Sequence, residues 1–385
     1  MKKLLISIVI TSFLFLTGCW DSLELEERAF LSGIAIDLPH DNTNQTLSVT
    51  EQIVVPNGLI TLPAASSGTG KGYRNIVEEG RTIYEVGDAI EKQEDRKLDG
   101  SHIEIVVISD EVVKEEYQLA DVVDVFMREK RMNREVILSI AEGSAGELLY
   151  IEPQDVKLPS QYLTQLIIGN YRAVGGDPQR FGNMQQYFIN KRSFTLPLLT
   201  TVGSSTGIDL TGLAVFSGDN SKMVGTLKDD NLEGYMIIQP MYNGSVTAKF
   251  DDTFATFHIP DGITKIKLKN KDPKNLHFEF ETFLDAELVE TFYSEDFFAL
   301  KNMKKLESSL ETRVKSLITG TIEKVRDEYE TDILGLAEHL KTKEPKIWKQ
   351  VKDDWDYGEN YFKDVEITLS VNIDIREPGN SVDTD

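Results

Sequence analysis

The chain has 385 residues, a formal net charge of −23 at pH 7 and a single cysteine. The length predicts two or three domains with sizeable buried cores. The negative charge disfavours nucleic acid and anionic lipid as electrostatic partners, because both carry phosphate groups of the same sign. A single cysteine excludes an internal disulfide, so packing must stabilise the fold.

The first twenty residues, MKKLLISIVITSFLFLTGCW, have the order of an export signal. Two lysines precede a short apolar run from Leu4 to Leu16. A helix of this length extends roughly 20 Å, which is too short for a hydrocarbon core of about 30 Å. The ending Leu16-Thr17-Gly18-Cys19 resembles the lipobox of bacterial lipoproteins, which implies cleavage before Cys19 and acylation of its thiol. We therefore predict a lipoprotein signal peptide over 1–18 and a lipidated Cys19 as the membrane tether.

Two alternatives to lipidation stay open at this point. The segment is then either an uncleaved N-terminal anchor or an ordinary secretory signal beside an unrelated cysteine. An ordinary cleavage site favours a small residue three positions before the cut, and Leu16 is large. After Cys19 no apolar run reaches the length of a membrane span, so we expect no second spanning segment.

Alternating strand and helix patterns predict an N-terminal α/β domain over 19–200. Apolar residues at helical spacing predict helices at 73–93 and 111–131. Period-two alternation and short apolar runs predict strands at 29–38, 47–55, 103–109 and 136–143. We expect these strands to form a mixed sheet covered by helices.

The pattern changes near residue 200, and we divide the rest of the chain into a middle and a C-terminal part, within an α+β protein. A β-hairpin at 208–227 with its turn at 218–221 is expected in a small middle domain, 201–245. The C-terminal α+β domain, 246–378, should pair an antiparallel sheet with one long helix. Its expected elements are strands at 246–259, 263–269 and 276–289, a helix from about Ser294 to Leu340 with a bend at Gly320 or Gly335, a short helix after Pro345, and a last strand at 364–375. Residues 379–385 are predicted to be a disordered tail.

Motif searches find no catalytic or metal-binding arrangement. Residues 67–72, SGTGKG, lack the first glycine and the Ser or Thr after lysine that a phosphate-binding loop needs. Asp229 begins an acidic run like the first half of a calcium loop, but the twelfth position is Pro240 instead of glutamate. The histidines are scattered, and HExxH and GxSxG do not occur in the sequence. Trp348 and Trp355 are expected to share a helix face and to pack on the sheet. We predict that the protein is not an enzyme and has no cofactor and no metal.

Three segments, in order along the chain, resemble one known family. The first is Gly18-Cys19-Trp20-Asp21, followed by 31–37, LSGIAID. The second is 211–216, TGLAVF, with 223–227, MVGTL, and the third is 332–338, DILGLAE, with Pro345 and Trp348. Together they closely resemble the Ger(x)C family, the lipoprotein C subunits of spore nutrient germinant receptors. Leu336-Ala337 departs from the family pattern, which has a second glycine or an aromatic residue there.

The resemblance implies three consecutive α+β domains and an acylated Cys19. It also implies assembly with two integral membrane receptor subunits, of A and B type, at the outer face of the inner spore membrane. A small-molecule germinant would then be a partner through the complex. A rival interpretation is a solute-binding lipoprotein that delivers a nutrient to a membrane transporter, although the C-terminal half does not mirror the first. A third interpretation, an extracytoplasmic hydrolase, has no supporting motif.

Overall fold

The computed structural model describes residues 24–39, 47–59, 71–116, 118–129, 132–173, 176–202, 207–291 and 300–376. These residues form two β-sheets with helices packed against them. The α+β fold class expected from the sequence is therefore confirmed. The signal peptide, Cys19 and the tail 379–385 lie outside the described residues, so the expectations about them stay predictions.

The N-terminal sheet contains nine strands, which are β1 (Arg28–Asp37), β2 (Leu47–Val54), β3 (Tyr73–Gly80), β4 (Lys97–Asp99), β5 (Ile105–Ser109), β6 (Ile137–Ala141), β7 (Phe194–Val202), β8 (Gly207–Phe216) and β9 (Met223–Lys228). Their order is β3-β2-β1-β5-β6-β7-β8-β9, and β4 pairs with the start of β1. Strands β1, β5, β6 and β7 are parallel, and antiparallel pairs extend the sheet at both sides. Every residue of β5 and β6 is buried, as expected for strands covered on both faces.

Helices cover both faces of this sheet. They are α1 (Pro56–Leu59), α2 (Ile83–Glu91), α3 (Asp110–Val113), α4 (Gln118–Arg128), α5 (Ala145–Leu148), α6 (Pro159–Ala173) and α7 (Phe181–Ile189). Two apolar clusters lie on opposite faces, because neighbouring residues of a strand point to opposite sides. The helix predicted over 73–93 is wrong in its first half, since 73–80 form strand β3.

The C-terminal sheet contains four strands, in the order β10 (Tyr242–Phe250), β11 (Thr253–Asn270), β12 (His277–Thr291) and β13 (Glu366–Arg376). The helices of this half are α8 (Asp229–Ile238), α9 (Leu300–Glu323), α10 (Leu336–Lys343) and α11 (Pro345–Val351). A π-helical turn, Lys324–Glu328, continues α9. The continuous helix predicted as far as Leu340 is interrupted, because residues 329–335 separate the π-helical turn from α10. Gly335, one of the two positions predicted for a bend, has a left-handed φ of 85°, whereas Gly320 lies inside α9.

Two features of the C-terminal sheet differ from the prediction. Strand β13 lies parallel to β12, although the sequence predicted a wholly antiparallel sheet. Three helices connect these two strands, and a helical crossover of that kind permits a parallel pair. The turn between β10 and β11 lies at Asp251-Asp252, inside the strand predicted at 246–259. Strand β11 therefore has 18 residues and includes the strand predicted at 263–269, with a bulge between His258 and Asp261. Asp251 adopts a φ of 48°, which aspartate tolerates in turns.

The segment 201–245, expected as a small middle domain, joins the two sheets. Its predicted hairpin is present as β8 and β9, but β8 pairs along β7 and extends the N-terminal sheet. Leu213 and Val215 belong to the C-terminal core, whereas Ala214 and Phe216 belong to a core of the N-terminal sheet. Residues 212–216 of β8 are buried on both faces because each face belongs to a different core. Among the described residues, 201–245 therefore forms no sheet of its own.

Candidate functional site

A cavity of about 470 Å³ opens where the two halves of the molecule meet. Its walls come from the loop before β7, the end of α8, and segments around α10 and α11. This volume is within the range of sites for small organic molecules. The junction is the candidate functional site because it combines the cavity with a group of buried polar side chains.

Asp332 organises the C-terminal wall of the junction. Its side chain is buried, and its Oδ1 accepts hydrogen bonds from the backbone N–H groups of Leu334 and Gly335 at 3.1 Å each. Its Oδ2 accepts from the N–H of Ala337 at 2.6 Å and from the indole Nε1 of Trp355 at 2.8 Å. The backbone donors lie at or just before the start of α10, where the first N–H groups of a helix have no partner within it. The aspartate of the resemblance motif is therefore a helix cap that also holds a tryptophan.

Asp356 connects this cap to the N-terminal sheet. Its Oδ2 accepts from the hydroxyl of Ser193 at 2.6 Å and from the N–H of Asp332 at 3.0 Å. The Ser193 hydroxyl in turn accepts from the N–H of Gly218 in the β8–β9 turn, at 3.0 Å. Ser193 directly precedes β7, so one buried chain of hydrogen bonds crosses the junction.

The two carboxyl groups have perturbed pKa values. Burial raises the pKa of Asp332, although its N–H donors oppose that shift. Burial and the negative charge of Asp332 raise the pKa of Asp356 to about 7. Because Asp332 has the larger set of donors, it carries the charge of the pair, and Asp356 keeps a proton up to near-neutral pH.

Tyr329 forms a second link across the junction. Its hydroxyl donates to the carbonyl oxygen of Thr226 at 2.7 Å and accepts from the N–H of the same residue at 3.0 Å. These bonds satisfy the backbone of β9 at the edge of the nine-stranded sheet. A Cβ atom at Gly225 would lie 2.3 Å from the Tyr329 ring, so glycine permits this close approach.

Aromatic and cationic side chains line the cavity mouth. The Lys191 ammonium lies 2.6 Å from Asp219 and 4.9 Å from the ring centre of Tyr357. The Arg192 guanidinium lies over the Tyr187 ring at 5.4 Å. Cation–π and ion-pair contacts therefore hold both cations in the wall between the two halves.

The structure places the candidate residues of the sequence as follows. Cys19 and residues 67–70 of the glycine-rich segment lie outside the described residues. The acidic run that begins at Asp229 forms helix α8 and not a loop. In the described ranges no group of three or more His, Cys, Asp or Glu residues is arranged to hold a metal ion, and no helix has the length and apolar character of a membrane span. Trp355 is buried in the C-terminal core. The ring centres of Trp348 and Trp355 are 6.1 Å apart, and Trp348 lines the cavity.

Local sequence patterns do not predict the residues that form the hydrogen bonds of this site. Asp332 lies four residues before α10, whereas an aspartate start signal stands directly before a helix, and the sequence predicts a continuous helix through this position. Ser193 and Asp356 are 163 residues apart in the chain and have no local signature.

Comparison with known proteins places both halves in one family. Residues 21–201 match the family model described as "Spore germination protein N-terminal domain". Residues 211–379 match the model described as "Spore germination B3/ GerAC like, C-terminal". The two matches follow one another along the chain and meet at the β7–β8 hairpin.

Several relatives are similar over nearly their full length. "Spore germination protein YndF" of Bacillus subtilis (strain 168) is 26% identical over 403 residues, which cover 98% of each chain. "Spore germination protein B3" of the same strain is 26% identical over 93% of this chain and 94% of its own.

A solved structure, "Crystal Structure of the GerBC protein", superposes with a TM-score of 0.58 at 19% identity. It covers 89% of this chain and 96% of the other, which shows a shared fold. The resemblance seen in the sequence motifs is thus confirmed. The chain belongs to the GerAC-like family of spore germination proteins.

Proposed function

We propose that this chain is a lipid-anchored, non-enzymatic subunit of a spore nutrient germinant receptor. In this proposal it assembles with integral membrane subunits of A and B type at the outer face of the inner spore membrane. The observation that carries the proposal is the match of both GerAC-like domains, in order, across the chain. The motif that begins at Gly18-Cys19 supports the lipid anchor.

The anchor has a physical consequence for assembly. One acyl chain binds a membrane only marginally, whereas two or three retain a protein stably. Acylation of Cys19 confines the folded body to a surface and raises its effective concentration for membrane partners. Any response to a germinant then depends on contacts that differ between the resting and the activated receptor.

Deletion and complementation in the spore-forming host test this proposal. We expect deletion to abolish or slow germination with at least one nutrient, and the wild-type gene to restore it. Cys19→Ala should lack the acyl group and fail to restore germination. Ser22→Ala, three residues away, is the matched control and should behave as wild type. Unchanged germination of the deletion strain with every nutrient, or full rescue by an unacylated Cys19→Ala protein, would contradict the proposal.

The cavity at the junction favours a second candidate, a solute-binding lipoprotein that delivers a nutrient to a transporter. Its volume of about 470 Å³ suits an amino acid or a sugar. Calorimetry of the detergent-solubilised full-length protein with amino acids and sugars separates the two candidates. Tight binding that Trp348→Ala removes would favour the solute-binding protein, whereas the receptor subunit is expected to give no heat of binding in isolation.

A further inference from the structure

The described chain begins at one edge of the N-terminal sheet. A 3₁₀ helix, Leu25–Glu27, leads directly into β1 at Arg28. Arg28 pairs with Lys97 of β4, and its Nη1 lies 2.9 Å from Asp99 Oδ2. The Phe30 ring contacts His102 with ring centres 4.6 Å apart. The entry point of the chain is thus fixed beside residues 97–102.

The parallel strands define two opposite edges of this sheet. We use the terms amino edge and carboxyl edge for the two ends of the parallel strands. The amino edge comprises the segments at the starts of β4 to β7 and the β8–β9 turn, which are 92–104, 132–136, 176–181, 190–193 and 217–222. The carboxyl edge comprises the segments at the other ends of these strands, which are 110–116, 142–148, 201–202, 207–209 and 228–230. Arg28 belongs to the amino side, since β1 runs parallel to β5.

The length of the tether selects one of these edges. Cys19 precedes Glu24 by a few residues, which span at most roughly 18 Å even when fully extended. Strand β1, which the tether enters at Arg28, has ten residues, so its far end lies about 30 Å from the tether. An acyl group on Cys19 that is inserted in a bilayer therefore cannot bring the carboxyl edge to the membrane surface.

Charge favours the same orientation independently. Acidic residues far outnumber basic ones at the carboxyl edge, where Lys114 and Lys228 are the basic residues. At the amino edge the two signs nearly balance, because of basic residues such as Arg96, Arg134 and Arg180. Anionic lipid repels acidic groups within a Debye length, about 8 Å at physiological salt. The amino edge therefore approaches such a surface at the lower electrostatic cost.

We infer that the amino edge faces the lipid surface, with the part that the C-terminal half leaves uncovered nearest to it, and that the carboxyl edge points away. The inference rests on the proposed lipidation of Cys19. Residues Lys191, Arg192 and Ser193 belong to the amino edge and also line the junction cavity. In this orientation the N-terminal wall of the cavity lies on the membrane side, where integral membrane subunits contact the protein.

Variants that each carry one introduced cysteine, compared in pairs, measure this orientation. The full-length, lipidated protein has no other free thiol, because Cys19 is the only cysteine and is acylated. Asn190→Cys and Thr201→Cys are exposed positions that bracket β7, and Ser101→Cys and Glu115→Cys bracket β5. Each protein is labelled with a fluorophore and reconstituted in vesicles of phosphatidylcholine and phosphatidylglycerol that carry a headgroup nitroxide quencher.

We expect the labels at 190 and 101 to be quenched at least twofold more than those at 201 and 115. Equal quenching within each pair, or the reverse order, would overturn the inference. The same holds if the expected order appears only after integral membrane receptor subunits are added, because the surface would then be a protein interface. If the protein does not sediment with the vesicles and Cys19 itself takes up the label, its thiol is free. That result would instead refute the lipid anchor of the proposed function.

Discussion

Asp332 concentrates more buried polar contacts than its position in the sequence suggests. Its two carboxylate oxygens satisfy the first turn of α10 and the indole of Trp355, while its own N–H contacts Asp356. A buried N–H group without an acceptor lowers the free energy of unfolding. The Asp332 side chain therefore stabilises this part of the junction by accepting from several such groups.

Replacement of Asp332 by alanine removes all of these acceptors. We expect Asp332→Ala to lower the free energy of unfolding by roughly 3 kcal/mol or more, because several buried donors lose their partner together. Urea denaturation of the purified protein measures the loss. Asp353→Ala is the control, since Asp353 is 79% exposed and its ion pair with Lys352 should contribute less than about 1 kcal/mol. Equal losses in the two variants would contradict the assigned role.

Asp356 should make stability depend on pH. Its folded-state pKa of about 7 lies above the value near 3.9 of an exposed aspartate, so the folded protein binds this proton more tightly than the unfolded chain does. The stability that the bound proton provides is complete below about pH 4 and is lost as the pH rises to about 7.

Asp356→Asn cannot ionise and retains an oxygen that accepts from Ser193. Relative to wild type, we expect the variant to gain on the order of 2 kcal/mol of unfolding free energy between pH 5 and pH 7.5. Denaturation curves at the two pH values test this. Glu51, whose pKa burial also raises to about 7, affects both proteins alike and cancels. Parallel pH profiles for variant and wild type would show that Asp356 ionises normally.

Helix α8 is the element that attaches the middle segment to the C-terminal half. Arg313 of α9 forms a two-bond ion pair with Asp230, at 2.8 and 2.6 Å. The Thr321 hydroxyl donates to the carbonyl of Asn231 at 2.9 Å. A Cβ atom at Gly234 would lie 2.3 Å from the Leu317 carbonyl oxygen, so the two helices touch through their backbones there.

A pair of glycine substitutions tests this contact. Gly234→Ala should cost roughly 2 kcal/mol or more, because α8 must move away from α9. Gly320→Ala is the matched control, since its Cβ would be 3.6 Å from Asn231 Oδ1, an ordinary contact distance, and alanine favours a helix interior. We expect the control to gain up to about 1 kcal/mol in the same thermal or urea assay. A change of the same sign in both variants would disprove a backbone contact at Gly234.

The success of prediction from sequence differs between elements for physical reasons. The buried strands β5 and β6 and the helix after Pro345 have strong local patterns and were predicted well. Residues 73–80 were assigned to a helix, although Thr82, whose side chain accepts from the N–H of Glu85, marks the true start of α2. Pairing with β2 makes them a strand, and local spacing does not encode that partner.

Direction and long-range contacts were harder to predict. Alternation along β13 is the same for parallel and antiparallel neighbours, so the pattern gives its buried face but not its direction. The hairpin β8–β9 agrees with the prediction, but β8 also pairs with β7, and local alternation does not encode that partner. In the site, Gly335 has a local signature, whereas the cap at Asp332 and the Ser193–Asp356 bond exist only in the folded chain.

At the scale of the whole molecule, the junction makes one body of two sheets. The Ser193–Asp356 and Tyr329–Thr226 links join strands of the first sheet to segments of the second half. A tether at the amino edge of the first sheet would therefore orient both halves together. The role in spore germination follows from the family, and the proposed anchor adds a location to that role.

The mass of the N-terminal peptide of the mature protein tests the central claim most directly. The protein is extracted from spore membranes, digested and analysed by mass spectrometry. We predict a peptide that begins at Cys19 and carries the mass of a diacylglyceryl group on its sulfur. A peptide with a free Cys19 thiol, or one that extends into residues 1–18, would contradict the account.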